Sequence, residues 1–466
     1  MSASGKVFDV EAEATTGADI APYIRRNDRR VAETVDSQAR LKARWYEERD
    51  ALRANVGMSS DLRSQWQLEQ LRALVDHAFS TKPFYRELYT EVGYELGAIR
   101  SWSDFESLPT TSKKTMVDAG FSEACAGGVL HSARTSGSNG MNLTIYQDDE
   151  SVSYRHLRYM RHCELLMGRA LSERDLRYGI YFAAERYTSL LGDYRFVTVS
   201  QEAPPSVLAS HLSSLRPALL LSFPSYLQRL AATGIKLDDL DVLAVGTNSE
   251  RSSVEERNTL SREFGIPVLD EYSSEEMSLI AYECRERRYH LVEDSGYFEL
   301  SGVDDQGYGR LVGTSLGNRA MPFIRYEQGD LLRIDPLWVC GCGSTFRTID
   351  SFRGREDELM KDGDTGFVPA DAILGLCDET LVERGSNILE YQIVQVARDR
   401  VDLRVKLIDP RKGLDNSYVR NFSDRFPLLF RSVNVKVHVE EVKAMETFVS
   451  GKRRLVKVES FEDSAS

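Results

Sequence analysis

The sequence predicts an α/β protein in which a large domain, with mixed and parallel sheets and crossover helices, is followed by a small α+β domain at the C-terminus. Three observations lead to this prediction. The chain has 466 residues, more than one compact core usually holds. Its middle part alternates strand-like and helix-like segments. From about residue 354 the pattern changes to strand-like segments around one helix-like segment.

The first strongly periodic segment is a helix that begins near Ser60. Apolar residues recur there at helical spacing as far as Phe79, and Ser60 with Asp61 is typical of a helix start. The residues before about position 35 are polar with little periodicity, which predicts a loose N-terminal extension. The predicted extension, large domain and small domain cover residues 1–35, 36–354 and 355–466.

The middle of the chain alternates β-strands and α-helices. The predicted elements are strands at 217–222, 241–247 and 266–272 and helices at 224–233 and 253–264. Strand, helix and strand at this spacing predict a parallel sheet with crossover helices. Ligands bind such sheets at the carboxyl ends of the strands. The segments GTNSE and EYSSEE, which follow two of these strands, are therefore expected to line a site.

The later part of the chain has a different pattern. Residues 289–300 and 309–317 are typical of β-hairpins. The small domain is predicted to contain three strands and one helix. These elements lie at 388–396, 401–408, 433–442 and, for the helix, 416–426.

Composition and charge exclude several classes of protein. The net charge of −13 argues against a general nucleic-acid binder, which needs a basic face, but not against a nucleotide substrate. No apolar run approaches the roughly 20 residues that span a bilayer. The N-terminus lacks the basic and then apolar pattern of a signal peptide. We therefore expect a cytoplasmic protein that binds neither nucleic acid nor membrane.

The stretch TSGSNGMN at residues 135–142 has the composition of a phosphate-binding loop. Its glycines let backbone N–H groups approach phosphate oxygens, and its hydroxyl side chains add short donors. Taken alone, the stretch fits an ordinary surface turn equally well. If it binds phosphate, the candidate contacts are Thr135, Ser136, Gly137, Ser138, Asn139 and Gly140.

Four of the metal-ligating side chains form a candidate zinc set. Cys284 and His290 are close together in ECRERRYH, and Cys340 and Cys342 follow in CGCG. Three thiols and one imidazole suit tetrahedral zinc, and a closed site of four ligands would be structural. The alternative is a pair of buried thiols beside an unrelated histidine.

Five stretches, in this order and spacing, resemble the adenylate-forming acyl ligases, and within that superfamily the phenylacetate-CoA ligase-like branch. They are LRALVDHAFSTKPFYRELY with LPTTSKKTM, the loop TSGSNGMN, EYSSEEMSLIAYEC, RYEQGD, and the C-terminal pair RGREDELMKDGDTGFVP and FVSGKRRLVKV. The resemblance covers about residues 60–456. It implies two domains joined by a hinge, ATP with Mg²⁺, CoA as co-substrate, and zinc in the Cys/His set.

The resemblance also implies roles for single residues around the nucleotide. Tyr272 is expected to stack on adenine, Glu276 to hold Mg²⁺ and so take part in catalysis, and Asp330 to accept hydrogen bonds from both ribose hydroxyls. Further nucleotide contacts are expected from the GTNSE loop and from the neighbours of Tyr272. These are Thr247, Asn248, Glu250, Glu271 and Ser273.

Two C-terminal stretches are expected to serve the moving domain. By resemblance Arg355 faces the nucleotide, Asp357 is the pivot, and Lys452 is the catalytic lysine that bridges the carboxylate and the α-phosphate. A solvated basic strand is the alternative interpretation of the segment around Lys452, since Arg453, Arg454 and Lys457 follow it.

Three positions depart from the family pattern. Met141 stands where the family loop often has lysine, so a cation must come from elsewhere or from a metal ion. Ser273 replaces a glycine. Glu275 takes the place of a hydroxyl residue and adds a negative charge near the phosphates, which has to be turned away or paired.

The activity that the resemblance implies is that of an AMP-forming ligase. A small carboxylic acid would react with ATP to give an acyl adenylate and pyrophosphate, and the acyl group would pass to a thiol, most often that of CoA. An amine, a carrier protein or another nitrogen acceptor remains an alternative, and so does a non-catalytic nucleotide-binding protein. Aromatic residues expected near the acid are Tyr178, Tyr181, Phe182, Phe223 and Tyr226. A homodimer is the default oligomer.

Overall fold

The computed structural model describes residues 20, 23, 35–126, 131–135, 142–181, 188–364, 366–381, 387–446 and 455–459. The helices of this part are α1 (Val35–Asn55), α2 (Ser60–Thr81), α3 (Pro83–Glu91), α4 (Trp102–Glu106), α5 (Lys113–Asp118), α6 (Phe121–Cys125), α7 (Asp149–Met167), α8 (Pro205–Leu215), α9 (Pro224–Ala231), α10 (Val254–Phe264), α11 (Ala370–Thr380) and α12 (Asn416–Arg425). None of them is long and apolar enough to cross a membrane.

The strands fall into one large sheet and three small ones. Up to the start of the small domain they are β1 (His131–Arg134), β2 (Thr144–Gln147), β3 (Leu176–Tyr181), β4 (Thr188–Leu190), β5 (Asp193–Ser200), β6 (Leu219–Ser222), β7 (Ala244–Thr247), β8 (Val268–Ser274), β9 (Ser278–Glu283), β10 (Tyr289–Leu291), β11 (Gly296–Ser301), β12 (Gly309–Ser315), β13 (Tyr326–Asp335) and β14 (Thr348–Arg355). They are followed by β15 (Met360–Asp362), β16 (Gly366–Val368), β17 (Ile388–Ala397), β18 (Arg400–Leu407), β19 (Lys436–Glu441) and β20 (Val456–Val458).

Twelve of these strands form one continuous sheet in the order β11-β12-β13-β14-β10-β9-β8-β7-β6-β3-β5-β4. The predicted parallel part is confirmed, because β5, β3, β6, β7 and β8 pair with one another in parallel in that order, while the edge strand β4 is antiparallel to β5. From β8 onward the pairing is antiparallel. β8 therefore joins a parallel half to an antiparallel half, and the loops that follow the parallel strands open at one edge.

The helix predicted at Ser60 is confirmed as α2, and Ser59 caps it by accepting a hydrogen bond from the backbone N–H of Leu62. The preceding helix α1 was not predicted. It buries only Leu41, Trp45 and Leu52 in 21 residues, so its apolar stripe is too thin to produce a clear periodic pattern. Helix α1 is stabilised by its packing against α7, and its own amphipathic pattern contributes little.

The hairpin-like pattern expected after about residue 285 is confirmed for β11, β12 and β13, which pair in antiparallel order, but residues 289–300 do not form one hairpin. β10 pairs with β9 and β14, whereas β11 pairs with β12. Residues 309–317, also expected to form a hairpin, contain the single strand β12. Asp294, between β10 and β11, forms a buried ion pair with Arg161 of α7, in which Nη2 lies 2.9 Å from Oδ1.

The small C-terminal unit has its own sheet and its own core. Its four-stranded sheet has the order β19-β18-β17-β20, and α11 and α12 pack against it. The strands and the helix predicted for this unit are confirmed. Gly354, at the end of β14, has φ of +113°, and a Cβ there would lie 2.8 Å from the Cβ of Ala370 at the start of α11. The absence of a side chain at this glycine lets the small unit approach the large sheet closely.

Candidate active site

A cavity of about 1730 Å³ opens at the carboxyl ends of the parallel strands. Its walls come from the loops after β7 and β8, from β13 and β14, and from helix α7. Leu374 and Asp378 of α11 and Val456 of β20 close it from the side of the small unit. The cavity therefore lies where fold rules place ligands in parallel sheets, and both parts of the chain contribute to it.

One end of the cavity is built around Asp330. Asp330 of β13 is the direct cross-strand partner of Arg355 on β14, and the guanidinium Nη1 lies 3.5 Å from Oδ1. The hydroxyl of Tyr272 donates a hydrogen bond to the other carboxylate oxygen. Burial, and then the negative charge of Asp330, raises the pKa of Tyr272 well above its ordinary value, so the phenol stays protonated and able to donate.

The Tyr272 ring is held edge-on against Phe352, with ring centroids 5.3 Å apart. This contact fixes the plane of Tyr272 at the cavity wall, beside the Asp330 carboxylate. An aromatic plane next to a carboxylate suits a base attached to a ribose. The predicted residues Tyr272, Asp330 and Arg355 therefore lie together.

The other end of the cavity is built around Glu276, which is only 8% exposed. Tyr326 donates a hydrogen bond to its Oε1 at 3.1 Å, and the ammonium of Lys113 lies 3.2 Å from the same oxygen. Lys113 also donates to the hydroxyl of Thr135 at 3.3 Å. A carboxylate, a hydroxyl and an ammonium thus meet at the start of the Gly/Ser loop.

Lys113 is a site residue that the sequence analysis missed. It occupies the first turn of α5, which Ser112 begins through a reciprocal capping interaction with Thr115. The helix dipole disfavours a cation in a first turn. A lysine at that position of the quoted segment LPTTSKKTM was the signal that could have revealed it.

Thr135 begins the predicted phosphate loop, and the structure closes the loop at its base. The backbone N–H of Thr135 donates to the carbonyl of Leu143, and the N–H of Leu143 donates to the Thr135 hydroxyl, each at 3.0 Å. The strands β1 and β2 flank this closure. The candidate contacts Ser136, Gly137, Ser138, Asn139 and Gly140 lie outside the described residues, as does Met141.

The loop after β7 and the carboxyl end of β8 form the wall between the two ends. Asn248, Glu250, Glu271 and Ser273 line it as expected. Thr247 is fully buried behind the wall, and its hydroxyl donates to Asp270. Burial raises the pKa of Asp270 to about 6. A contact of Thr247 with a nucleotide would have to be indirect.

Glu275 has a partner. Its carboxylate lies 3.5 Å from the Nη1 atom of Arg155 on α7, and both side chains are about two-fifths exposed at the cavity wall. The negative charge that departs from the family pattern is therefore matched by a cation from a neighbouring element.

The aromatic residues expected near the acid divide between two faces of the sheet. Tyr181 and Phe223 line the cavity. Tyr178 and Tyr226 instead belong to the core on the opposite face, where their hydroxyls bond to His211 and to the carbonyl of Ala203. Side chains of a strand alternate, so Tyr178 and Tyr181 cannot share a face. Phe182 lies outside the described residues.

The predicted hinge follows the large sheet directly. Asp357 belongs to a short 3₁₀ turn, Glu356–Glu358, that leaves the end of β14. The backbone N–H of Arg355 donates to the Glu358 carboxylate across this turn. Lys452 lies outside the described residues, although the neighbouring Leu455 and Val456 line the cavity.

The four predicted metal ligands converge at a separate place. The ligand atoms of Cys284, His290, Cys340 and Cys342 all lie within 4.8 Å of one another. The Cys284 and Cys340 sulfurs are 3.6 Å apart, and Cys342 Sγ is 3.3 Å from His290 Nε2. The carbonyl of Phe346 lies 3.1 Å from His290 Nδ1 and orients the ring. This geometry can hold one metal ion, and none of the four residues lines the large cavity.

Comparison with known proteins gives relatives in sequence and in fold. No protein-family model matches the chain. It is 26% identical over 328 residues to the phenylacetate-coenzyme A ligase of Pseudomonas putida, which covers 65% of this chain and 72% of that protein. It superposes on 2-hydroxyisobutyryl-CoA ligase in the postadenylation state, in complex with R3-HIB-AMP, with a TM-score of 0.70 at 19% identity, covering 87% and 91% of the two chains. With that enzyme in the thioesterification state the TM-score is 0.56 at 19% identity, over 87% and 92%.

Proposed function

The chain is a relative of the phenylacetate-coenzyme A ligases with the fold of the adenylate-forming ligases, and from this premise we propose that it activates a carboxylic acid with ATP and transfers the acyl group to the thiol of CoA. The observation that carries the proposal is a single cavity with a ribose-type end at Asp330 and a phosphate-type end at Lys113, Thr135 and Glu276. A nucleoside triphosphate has a ribose for the first end and phosphates for the second.

In the first step a carboxylate oxygen of the acid attacks the α-phosphorus of ATP. A new bond joins the acyl oxygen to phosphorus, the bond from the α-phosphorus to the bridging oxygen breaks, and pyrophosphate leaves. Negative charge moves toward the leaving phosphates as this happens. Lys113 and the hydroxyl of Thr135 are placed to stabilise it, and the buried site strengthens their effect. Lys452 is the expected cation at the reacting carboxylate.

Glu276 is the residue that would hold Mg²⁺. Its carboxylate is buried, accepts a hydrogen bond from Tyr326 and contacts the same Lys113 ammonium as the Thr135 hydroxyl, and hard oxygen ligands of this kind fit the ion. Mg²⁺ there would neutralise charge on the triphosphate. Two proposed roles do not depend on Mg²⁺. Asp330 would accept hydrogen bonds from the ribose hydroxyls, and Tyr272 would contact the base.

In the second step the thiolate of CoA attacks the acyl carbon, a carbon–sulfur bond forms, and AMP leaves. The cavity is closed on one side by the small unit, so the thiol needs this unit to move. We place the pivot at Asp357, in the 3₁₀ turn after β14, and the domain boundary beside it. Better superposition on the postadenylation state than on the thioesterification state of the ligase neighbour supports this account.

The separate Cys/His cluster is proposed to hold structural Zn²⁺. In a tetrahedral site with zinc–sulfur bonds near 2.3 Å, two sulfurs lie about 3.8 Å apart. The 3.6 Å between Cys284 and Cys340 is close to that separation. Burial lowers the pKa of His290, which leaves the imidazole neutral and able to bind a metal.

Acid-dependent release of pyrophosphate tests the proposed function. The protein is incubated with ATP, Mg²⁺ and a panel of aryl and aliphatic acids, and pyrophosphate is measured with and without each acid. We expect release with at least one acid, and a loss of about 100-fold or more in Asp330→Ala. Release that is independent of acid, or equal in Asp330→Ala, would exclude the assigned site.

A further inference from the structure

Arg177 on β3 is a buried cation without a buried anion. Its side chain is 2% exposed and lines the cavity. Its Nη2 donates to the carbonyl of Tyr194 at 2.9 Å and its Nη1 approaches the sulfur of Cys163 at 3.8 Å. No carboxylate in the described ranges forms an ion pair with it, and its Nε has no hydrogen-bond partner there.

A buried guanidinium in this state is costly, because its charge has lost water and gained no counterion. The ring of Phe196, 5.2 Å from the guanidinium carbon, offers only partial compensation. Arg161, on the neighbouring helix α7, shows the usual solution, since it forms a buried pair with Asp294. Arg177 lines the cavity and has no such ion pair within the described residues.

The second polar group at this depth is His156 on α7. Its Nε2 is buried and also has no partner within the described chain. Burial, and then the positive charge of Arg177, lowers the pKa of His156 to about 3, so the imidazole is neutral. Two buried polar side chains, each with a nitrogen that lacks a partner, thus line the cavity near each other, and neither supplies an anion to the other.

The position of Arg177 along the strand sets the length of what could reach it. Arg177 precedes Tyr181, at the carboxyl end of β3, by four residues, or roughly 13 Å of extended chain. Between the two depths the wall carries the aromatic side chains of Tyr159, Tyr181 and Phe196. The Glu271 carboxylate also lines the cavity near these tyrosines, and it lies 2.9 Å from Nε2 of its partner His162. The deep pocket therefore has a largely aromatic passage with a cation at its far end.

We propose that the acid activated by this protein carries a second anionic group, most simply a second carboxylate, at the end away from the reacting carboxylate, and that Arg177 binds it. This inference rests on the proposed function, because it takes the open end of the passage as the place where the acid is activated. The middle of such a molecule would be an aromatic ring or an extended aliphatic chain.

The test compares matched acids with one and two carboxylates: phenylacetate with 4-carboxyphenylacetate, octanoate with suberate, and dodecanoate with dodecanedioate, whose extended chain matches the length of the passage. Acid-dependent pyrophosphate release gives kcat/KM for each. We expect the diacid of a pair to be preferred by the parent protein. Arg177→Met should lower kcat/KM for the diacid about 100-fold and leave the monoacid unchanged or improved. Arg177→Lys, which keeps the charge, should retain the preference.

Stability distinguishes a binding role from a structural one. Arg177→Met removes an unpaired charge and should not lower the free energy of unfolding, whereas Arg161→Met leaves Asp294 buried and unpaired and should lower it strongly. Calorimetric binding of 4-carboxyphenylacetate to the parent and to Arg177→Met adds a readout without turnover.

The outcomes separate the two proposals. If monoacids are preferred and Arg177→Met changes both acids of a pair alike, the inference is wrong and the ligase function stands. If no acid releases pyrophosphate, the ligase function fails, and calorimetry still decides the role of Arg177. Equal binding of the diacid to the parent and to Arg177→Met would overturn the inference.

Discussion

At the scale of single residues, Lys113 answers the question raised by Met141. The loop lacks the lysine that relatives of this kind often have, but Lys113 reaches the loop from helix α5 and contacts both Thr135 and Glu276. A cation can therefore serve the phosphate end from a different segment of the chain. The contact depends on tertiary structure, which is why residue spacing along the loop could not reveal it.

Replacement of Lys113 by methionine should slow adenylate formation. The side chain keeps its length but loses the charge beside the leaving phosphates, and we expect kcat/KM for ATP to fall about 100-fold. Acid-dependent ATP–pyrophosphate exchange measures the effect. Lys114→Met is the matched control, because Lys114 is 71% exposed and pairs with Asp118 instead. Equal losses in the two variants would contradict the assignment.

The pair Arg155–Glu275 should act as a unit. Arg155→Ala leaves Glu275 unpaired near the phosphates, so the KM for ATP should rise. The rise should be only about two- to five-fold, because both side chains are about two-fifths exposed. In Glu275→Thr, removal of Arg155 should have much less effect. The KM for ATP is measured for the parent, the two single variants and the double variant, which together form a double-mutant cycle. Additive effects would show that the two residues do not interact.

At the scale of elements, the strand and helix pattern predicted the parallel half of the sheet and the small C-terminal sheet. Pairing between distant strands was less predictable. The sequence around β10 and β11 is typical of a hairpin, yet each strand pairs with a different partner, and Asp294 between them forms a buried ion pair with Arg161. A polar helix such as α1 also gave no signal, because its stability depends on its neighbour α7.

The contact between α11 and α10 should make the domain arrangement sensitive to pH. Burial, and then the charge of Glu256, raises the pKa of Asp378 from 3.8 to about 7. Asp378 is protonated more readily when the small unit is docked, so its contribution to docking is fully present below the ordinary pKa of 3.8 and is lost as pH rises to about 7. Energy transfer between dyes on the two units should therefore fall between about pH 4 and pH 7.

Asp378→Asn should remove this pH dependence, since it cannot ionise. Asp424→Asn is the matched control, because Asp424 is an exposed carboxylate on α12 and should leave the dependence intact. If the parent and Asp378→Asn respond to pH in the same way, another group controls docking.

At the scale of the whole molecule, the Cys/His cluster should stabilise the fold without taking part in the chemistry. Cys340→Ser should lower bound zinc from one ion per chain to none and lower Tm by roughly 5 °C or more. Elemental analysis and thermal unfolding measure both. Cys125→Ser is the control. It removes a buried thiol from a different core, so this variant should keep its zinc. Unchanged zinc in Cys340→Ser would exclude the site.

The whole-molecule arrangement was predictable in part. The order of the motifs predicted the two-domain fold. It also predicted that Tyr272, Glu276 and Asp330 share one cavity. It did not separate Tyr178 from Tyr181 across the sheet, and it did not reveal Arg177 or Lys113. Motifs report residues whose type and spacing are shared with relatives, whereas the proposed acid pocket combines side chains of α7 and β3 that are separated in sequence and line one cavity in the folded chain.

The most direct test of the account is a quenched-flow experiment with α-labelled ATP, an accepted acid and CoA. It follows acyl adenylate, AMP and acyl-CoA in one reaction. We expect acyl adenylate to form first with an equal amount of pyrophosphate. CoA should then convert the adenylate to acyl-CoA and AMP, and no ADP should form. Formation of ADP, or of acyl-CoA with no preceding adenylate, would contradict it.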